Sequence, residues 1–165
     1  MTEKIDVQEA IRRSIQTEKN AMDFYRLAAT HMRDPEAKRA FELLAKEEHE
    51  HAHWFFDIYQ GPRIPDFEDF MSAPQAHESD WLSDLEKILV ENFNERKALE
   101  MAMDKELKLE KHLREMAEKM DDPAVRKVFI ANADSTHNHY ILIESEYARL
   151  MGMVHETDID TYVRE

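Results

Sequence analysis

Apolar residues recur at steps of three and four along most of this chain, the period of helices that bury one face. Ile11, Ile15, Met22, Tyr25, Ala29 and Met32 form one such stripe behind Asp6, a suitable N-cap, and the helix they predict ends near Arg33. Asp34-Pro35-Glu36 combines an N-cap, a proline at the first helical position and an early acid. It starts a second helix whose stripe is Phe41, Leu44, Glu48, His51, Phe55 and Tyr59, and Gly61-Pro62 stops that helix. Pro62, Pro65 and Pro74 then exclude a continuous helix between Gln60 and His77. Ser83-Asp84-Leu85-Glu86 reads as a capping box within an amphipathic segment made by Trp81, Leu82, Leu85, Ile88, Leu89 and Phe93. A third long helix is expected from Asn94 to Met120, and a fourth from Pro123 to about Met151 with Gly152 as its stop. A single helix from Ser83 to Met120 is the alternative to a break near Asn94. The two Asp-Pro turns leave room only for tight antiparallel hairpins, whereas the crossover over 60–93 is long enough to traverse a bundle. An all-α four-helix bundle with a short helix in its crossover follows.

Composition supports one helical domain over 1–165: two glycines, five prolines and 35% charged residues favour helix over strand. The absence of cysteine excludes disulfides, thiolate metal sites, a redox-active thiol pair and a rubredoxin-like iron centre. Redox work would therefore need electrons from another protein. No apolar run approaches the roughly 20 residues of a membrane span, and Met1-Thr2-Glu3-Lys4 has no signal-like apolar core, so a soluble cytoplasmic protein is expected. A net charge of -14 argues against nucleic acid and anionic membrane surfaces as partners.

The chain also repeats itself. Residues 6–59 recur at 94–147 with a constant offset of 88, which pairs Glu18 with Glu106, Asp34-Pro35 with Asp122-Pro123, Phe41 with Phe129, Ala45 with Ala133 and His51 with His139. Glu18 and His51 stand 16 and 17 residues from Asp34, so both lie ~24 Å from the turn at one level of the hairpin. Glu106 and His139 hold the same positions around Asp122. Glu48 and His51 interrupt an apolar stripe on neighbouring turns and should point inward. Buried carboxylates are costly without a cation or donors, and no Lys or Arg lies in these stripes near the Glu level. A hard metal ion held by carboxylate and imidazole fits that inventory, with iron, manganese and zinc all compatible. A polar core network, or a merely inherited ligand set, is the plainer alternative.

A Glu on helices one and three with Glu-x-x-His on helices two and four is the di-iron pattern of ferritin-like bundles. Glu18 followed by Tyr25, then Phe41-Glu-Leu-Leu-Ala45-Lys-Glu-Glu48-His-Glu-His51, resembles the erythrin domain of rubrerythrins from Asp6 to Leu150. The resemblance implies a ferritin-like fold and a non-haem iron centre, with two ions, that reacts with peroxide or oxygen. It also implies a homodimer and an external electron donor such as a rubredoxin-type protein. Glu18, Glu48, His51, Glu106 and His139 are the metal ligands it implies.

The second half departs from this pattern. Thr136 stands in place of a glutamate, which puts the second metal position in doubt; Glu110, one turn beyond Glu106, is a candidate substitute, or else a solvated residue near Lys111 or Arg114. Asn132 replaces Leu44, and could hydrogen-bond a water or a ligand carboxylate or belong to a satisfied polar cluster. Leu113 replaces Tyr25, leaving one phenol that can orient a carboxylate, supply an electron or proton, or simply fill the core. His49 and His53 lie off the inward stripe and read as surface residues, although His49 recurs as His137. His31, His77, His112 and His155 have no partner at ligand spacing, and the ten methionines read as core filler. Two function classes result: a rubrerythrin-like peroxidase or ferroxidase, and a non-enzymatic metal-binding or dimeric bundle.

Overall fold

A computed structural model describes residues 5–64, 66–74, 80–91 and 93–163. Four long helices are α1 (Val7–His31), α2 (Pro35–Asp57), α5 (Glu95–Glu118) and α6 (Pro123–Val163), with α3 (Phe67–Ser72) and α4 (Asp80–Glu91) in the crossover. Local chemistry sets the starts. Asp6 caps α1 by accepting from the Glu9 amide, Asp34 caps α2 by accepting from Ala37, and Asn94 caps α5 by accepting from Arg96 and Lys97. Asn94 thus marks the break that separates α4 from α5, and the single-helix alternative does not form.

α1 packs on α2 and α5 on α6, giving two hairpins that meet along α2 and α6, while α4 lies across α1 and α5. This is the ferritin-like arrangement expected from the sequence. The start of α5 reaches the α1–α2 turn: Glu95 accepts from the backbone amides of Arg33 and of Asp34, the latter at 2.8 Å. The crossover therefore runs the length of the bundle. Arg149 on α6 binds the same turn through Asp34 and Glu36 while also holding Glu146 at 2.8 Å. Both helices of the second hairpin are thereby set in register with the first.

The core between the hairpins is aromatic. Tyr25 meets Phe41 edge to face at 4.9 Å, Phe24 meets Trp81 of α4 at 5.1 Å, and Phe55 meets Phe129 across the α2–α6 seam at 4.9 Å. Burying each ring contributes about 1.5–3 kcal/mol.

Three local expectations need correction. α6 passes through Gly152 to Val163 instead of stopping there. Glycine ends a helix by turning left-handed, and no glycine in the described residues has positive φ; a helical glycine costs only about 1 kcal/mol. α3 was not foreseen among the prolines. Asp66 caps it by accepting from Glu68 and Asp69, and Phe67 and Met71, one turn apart, bury themselves. α4 begins at Asp80, ahead of the Ser83 box, because the buried Trp81 and Leu82 belong to its packed face.

The Arg149 guanidinium holds the Asp34 carboxyl below the usual carboxylate range, with help from the Ala37 and Glu36 amides. Its folded-state pKa is depressed, so this contribution is complete above the unfolded value of about 3.9 and fades as pH falls through the folded one. Asp34→Asn, which keeps the cap, should flatten the loss of stability below about pH 4 in urea titrations; Asp34→Ala should also cost about 1 kcal/mol at pH 7.

Candidate metal centre

Each long helix brings one part of a closed cluster into the bundle. Glu18 comes from α1, Glu48 and His51 from adjacent turns of α2, Glu106 from α5 and His139 from α6, and none is more than 2% exposed. His51 Nδ1 lies 3.5 Å from both Glu18 Oε2 and Glu48 Oε1. His139 Nδ1 lies 2.7 Å from Glu48 Oε1 and 3.7 Å from Glu106 Oε1. The two imidazoles stack almost parallel, 8° apart with centroids at 4.9 Å. Ring atoms of both histidines and a Glu48 oxygen come within 4.8 Å of one another, a spacing that can hold an ion.

These contacts do not satisfy the polar atoms. Both oxygens of Glu18, both of Glu48 and Oε2 of Glu106 lack a hydrogen-bond partner, as do Nδ1 of His51 and both ring nitrogens of His139, because the close approaches are badly aligned. Among the described residues no Lys or Arg forms an ion pair with Glu18, Glu48 or Glu106. Lys19 is buried beside Glu18, but its ammonium goes to Asp23 at 2.7 Å and to the Ala73 carbonyl at 3.0 Å, fastening the crossover. The protons left in the cluster are shared unequally. Burial and the charges of Glu18 and Glu106 push Glu48 well above the usual carboxylate range. Burial also works to raise Glu18, yet the proximity of His51 and Glu48 leaves it lowered. Burial works against a charge on His139, and the carboxylates of Glu48, Glu106 and Glu47 overcome it, raising the pKa. Uncompensated buried carboxylates cost several kcal/mol each, so this donor set fits a hard multivalent cation.

Tyr25 crosses from one hairpin to the other: its hydroxyl donates to Glu106 Oε1 at 2.5 Å. Burial first, then the charges of Glu106 and Glu48, hold the phenol well above its usual pKa. Two further residues escaped the sequence reading. Glu47 Oε2 lies 3.3 Å from His139 Nε2, and Ser135 Oγ lies 2.7 Å from His51 Nε2. They are partners at the offset of 88, so each helix of the α2–α6 seam steadies the histidine of the other. The residue preceding Glu48 and its mate preceding Thr136 carried that signal.

Glu110 turns elsewhere. Its carboxylate takes Arg114 at 2.8 Å and His137 at 3.0 Å, and these bonds outweigh partial burial to lower its pKa. Thr136 is fully buried with a hydroxyl that meets no partner, and Asn132 donates to the Val128 carbonyl at 2.9 Å while its Oδ1 is left bare. His53 is exposed, as expected, and His49 is half-buried; both set their rings edge-on to Phe67 and so dock α3. His112 lines a cavity of about 30 Å³ that touches Glu18, and His31 packs on Phe93. His77 and the side chain of His155 lie outside the described residues.

Comparison with protein families matches residues 9–147 to the one described as Rubrerythrin. No curated protein and no solved structure gave a match. With most of its length matched, the chain belongs to the rubrerythrin family.

Residues that fix a ligand imidazole through its outer nitrogen typically contribute 10–100-fold to metal affinity. Glu47→Ala and Ser135→Ala should each weaken cobalt binding by about that factor in a chelator-competition titration, with helix content unchanged by circular dichroism.

Proposed function

We propose that this rubrerythrin-family chain is a non-haem di-iron carboxylate oxidoreductase, a cytoplasmic homodimer that reduces peroxide or oxygen with electrons from an external donor such as a rubredoxin-type protein. One observation carries the reading: three fully buried carboxylates and two imidazoles converge, most of their polar atoms unpaired, with no Lys or Arg paired to these carboxylates among the described residues. Glu18, Glu48, His51, Glu106 and His139 would hold the iron, with zinc and manganese as alternative occupants. Bound iron would supply reversible one-electron chemistry and Lewis acidity toward an oxygen substrate.

The chain's own residues prepare the site. The anionic cluster favours a more highly charged occupant. Tyr25, kept protonated by its surroundings, holds a proton at Glu106 Oε1 and fixes that carboxylate across the hairpin interface. Phe55 and Phe129 help to wall the seam against bulk water. The small cavity beside Glu18 is large enough for about one water-sized molecule. No helix among the described residues is long and apolar enough to cross a membrane, which agrees with a site that works in solution.

Thr136 supports a second reading, a non-enzymatic bundle holding one metal for structure or sensing, since a neutral side chain stands where a glutamate would complete the second position. Iron analysis after anaerobic reconstitution separates the two: about two ions per chain supports the di-iron reading, one supports the other, and none overturns both. Iron-loaded protein should turn over hydrogen peroxide with a reductant, and Glu48→Ala should abolish turnover; equal rates would sink the peroxidase reading. Chelation of loaded protein should lower Tm by about 5 °C or more when free metal had been a hundredfold above Kd.

A further inference from the structure

The two halves of the cluster differ most at two fully buried positions of α6. Thr136 stands where α2 has Glu48, and Asn132 where α2 has Leu44. Exchanging Glu for Thr removes bulk and a negative charge, while exchanging Leu for Asn adds an amide to what was an apolar wall. Neither change is compensated by a protein neighbour. Thr136 Oγ1 and Asn132 Oδ1 have no hydrogen-bond partner. The Asn132 amide nitrogen is committed to the Val128 carbonyl, so the bare atom is its acceptor, and the Thr136 hydroxyl can donate. The two residues are one turn apart on one helix face, and Thr136 precedes His139 by three positions on that face. Buried polar atoms are nearly always paired, by protein or by an ordered small molecule.

We propose that Thr136 and Asn132 form a pocket for a small protic oxygen ligand beside the metal cluster, water at rest and hydrogen peroxide as oxidant. This rests on the metal reading above and deepens it by naming the residues that discriminate between oxidants. A peroxide molecule has both an O–H to give Asn132 Oδ1 and a lone pair to accept from Thr136. Dioxygen has no proton and leaves the Asn132 acceptor bare. A glutamate at position 136 is bulkier than threonine and, when ionised, supplies only acceptors.

The test uses the full chain loaded with zinc, which permits no redox turnover, and with iron. Crystals of the zinc protein soaked in hydrogen peroxide should show one oxygen species within about 3.2 Å of both Thr136 Oγ1 and Asn132 Oδ1, absent from the Thr136→Val/Asn132→Leu double variant. In the iron protein the double variant should lose about tenfold or more in kcat/KM for hydrogen peroxide, with the dioxygen rate within about twofold and Thr136→Ser retaining both. If the double variant does not fold, Asn132→Leu, which copies the residue of the first repeat, carries the same comparison. Metal-loaded protein with an empty pocket, or peroxide and dioxygen rates that fall together, overturns the pocket alone. Wild-type protein that takes up neither zinc nor iron overturns the metal reading beneath it.

Discussion

The burial of three carboxylates in one apolar bundle is the constraint on which the rest of this molecule depends. Glu18, Glu48 and Glu106 are fully shielded from solvent, and five of their six oxygens have no hydrogen-bond donor. An ordinary core would replace such residues by leucine and become more stable, because ionised groups out of water cost far more than the apolar contacts they displace. Protonation offers only partial relief, since Glu48 is pushed up while Glu18 is pulled down. The neighbouring lysine that could have neutralised the site is turned outward to Asp23 and the crossover. A positive occupant relieves all three carboxylates at once, and that is why a metal explains the cluster better than a proton network does.

Such a cluster has to be assembled from helices that are far apart in sequence, so the fold must control level as well as proximity. The Asp-Pro turns set level within each hairpin, and the ties from Glu95 and Arg149 to the first turn set it between hairpins. Slipping α5 or α6 by one turn would move Glu106 or His139 by about 5.4 Å, beyond reach of Glu48. Tyr25 then joins the two halves at the site itself, a phenol of the first hairpin on a carboxylate of the second. The crossover contributes at a distance: α3 docks on His49 and His53 and α4 places Trp81 against the aromatic core behind Tyr25.

Much of this was legible in the residues, and the reasons for the exceptions are physical. Helix faces, the Asp and Asn caps and the shared level of Glu18, His51, Glu106 and His139 follow from periodicity and from counting residues to a turn, both local properties. α3 was hidden because six residues among prolines carry too little periodicity, and its stability comes from burying Phe67 and Met71. Gly152 misled because a glycine ends a helix only when the chain exploits its left-handed conformation. Glu47 and Ser135 were missed because they act across the α2–α6 seam, and helical periodicity describes one helix at a time. Glu110 had two readings of equal standing from sequence, and the side-chain partners that take it up, Arg114 and His137, are a matter of rotamers.

The repeat brings these threads to a single question of symmetry. Two equivalent hairpins would build two equivalent half-sites, each with a glutamate, an imidazole and a supporting residue on the opposite helix. Here the supporting residues differ, a carboxylate for His139 and a hydroxyl for His51, and so do the inner ones, with a threonine at the position that matches Glu48. The carboxyl groups of the seam are therefore gathered on its α2 side: Glu48 within, Glu47 at its edge. The α6 side presents neutral hydroxyls and an amide at the matching positions, Thr136, Ser135 and Asn132. Attraction for a cation and affinity for a neutral oxygen ligand favour opposite kinds of surface. On the proposed reading, a site that holds one beside the other is better built from unlike halves, and the divergence of the second repeat would supply them.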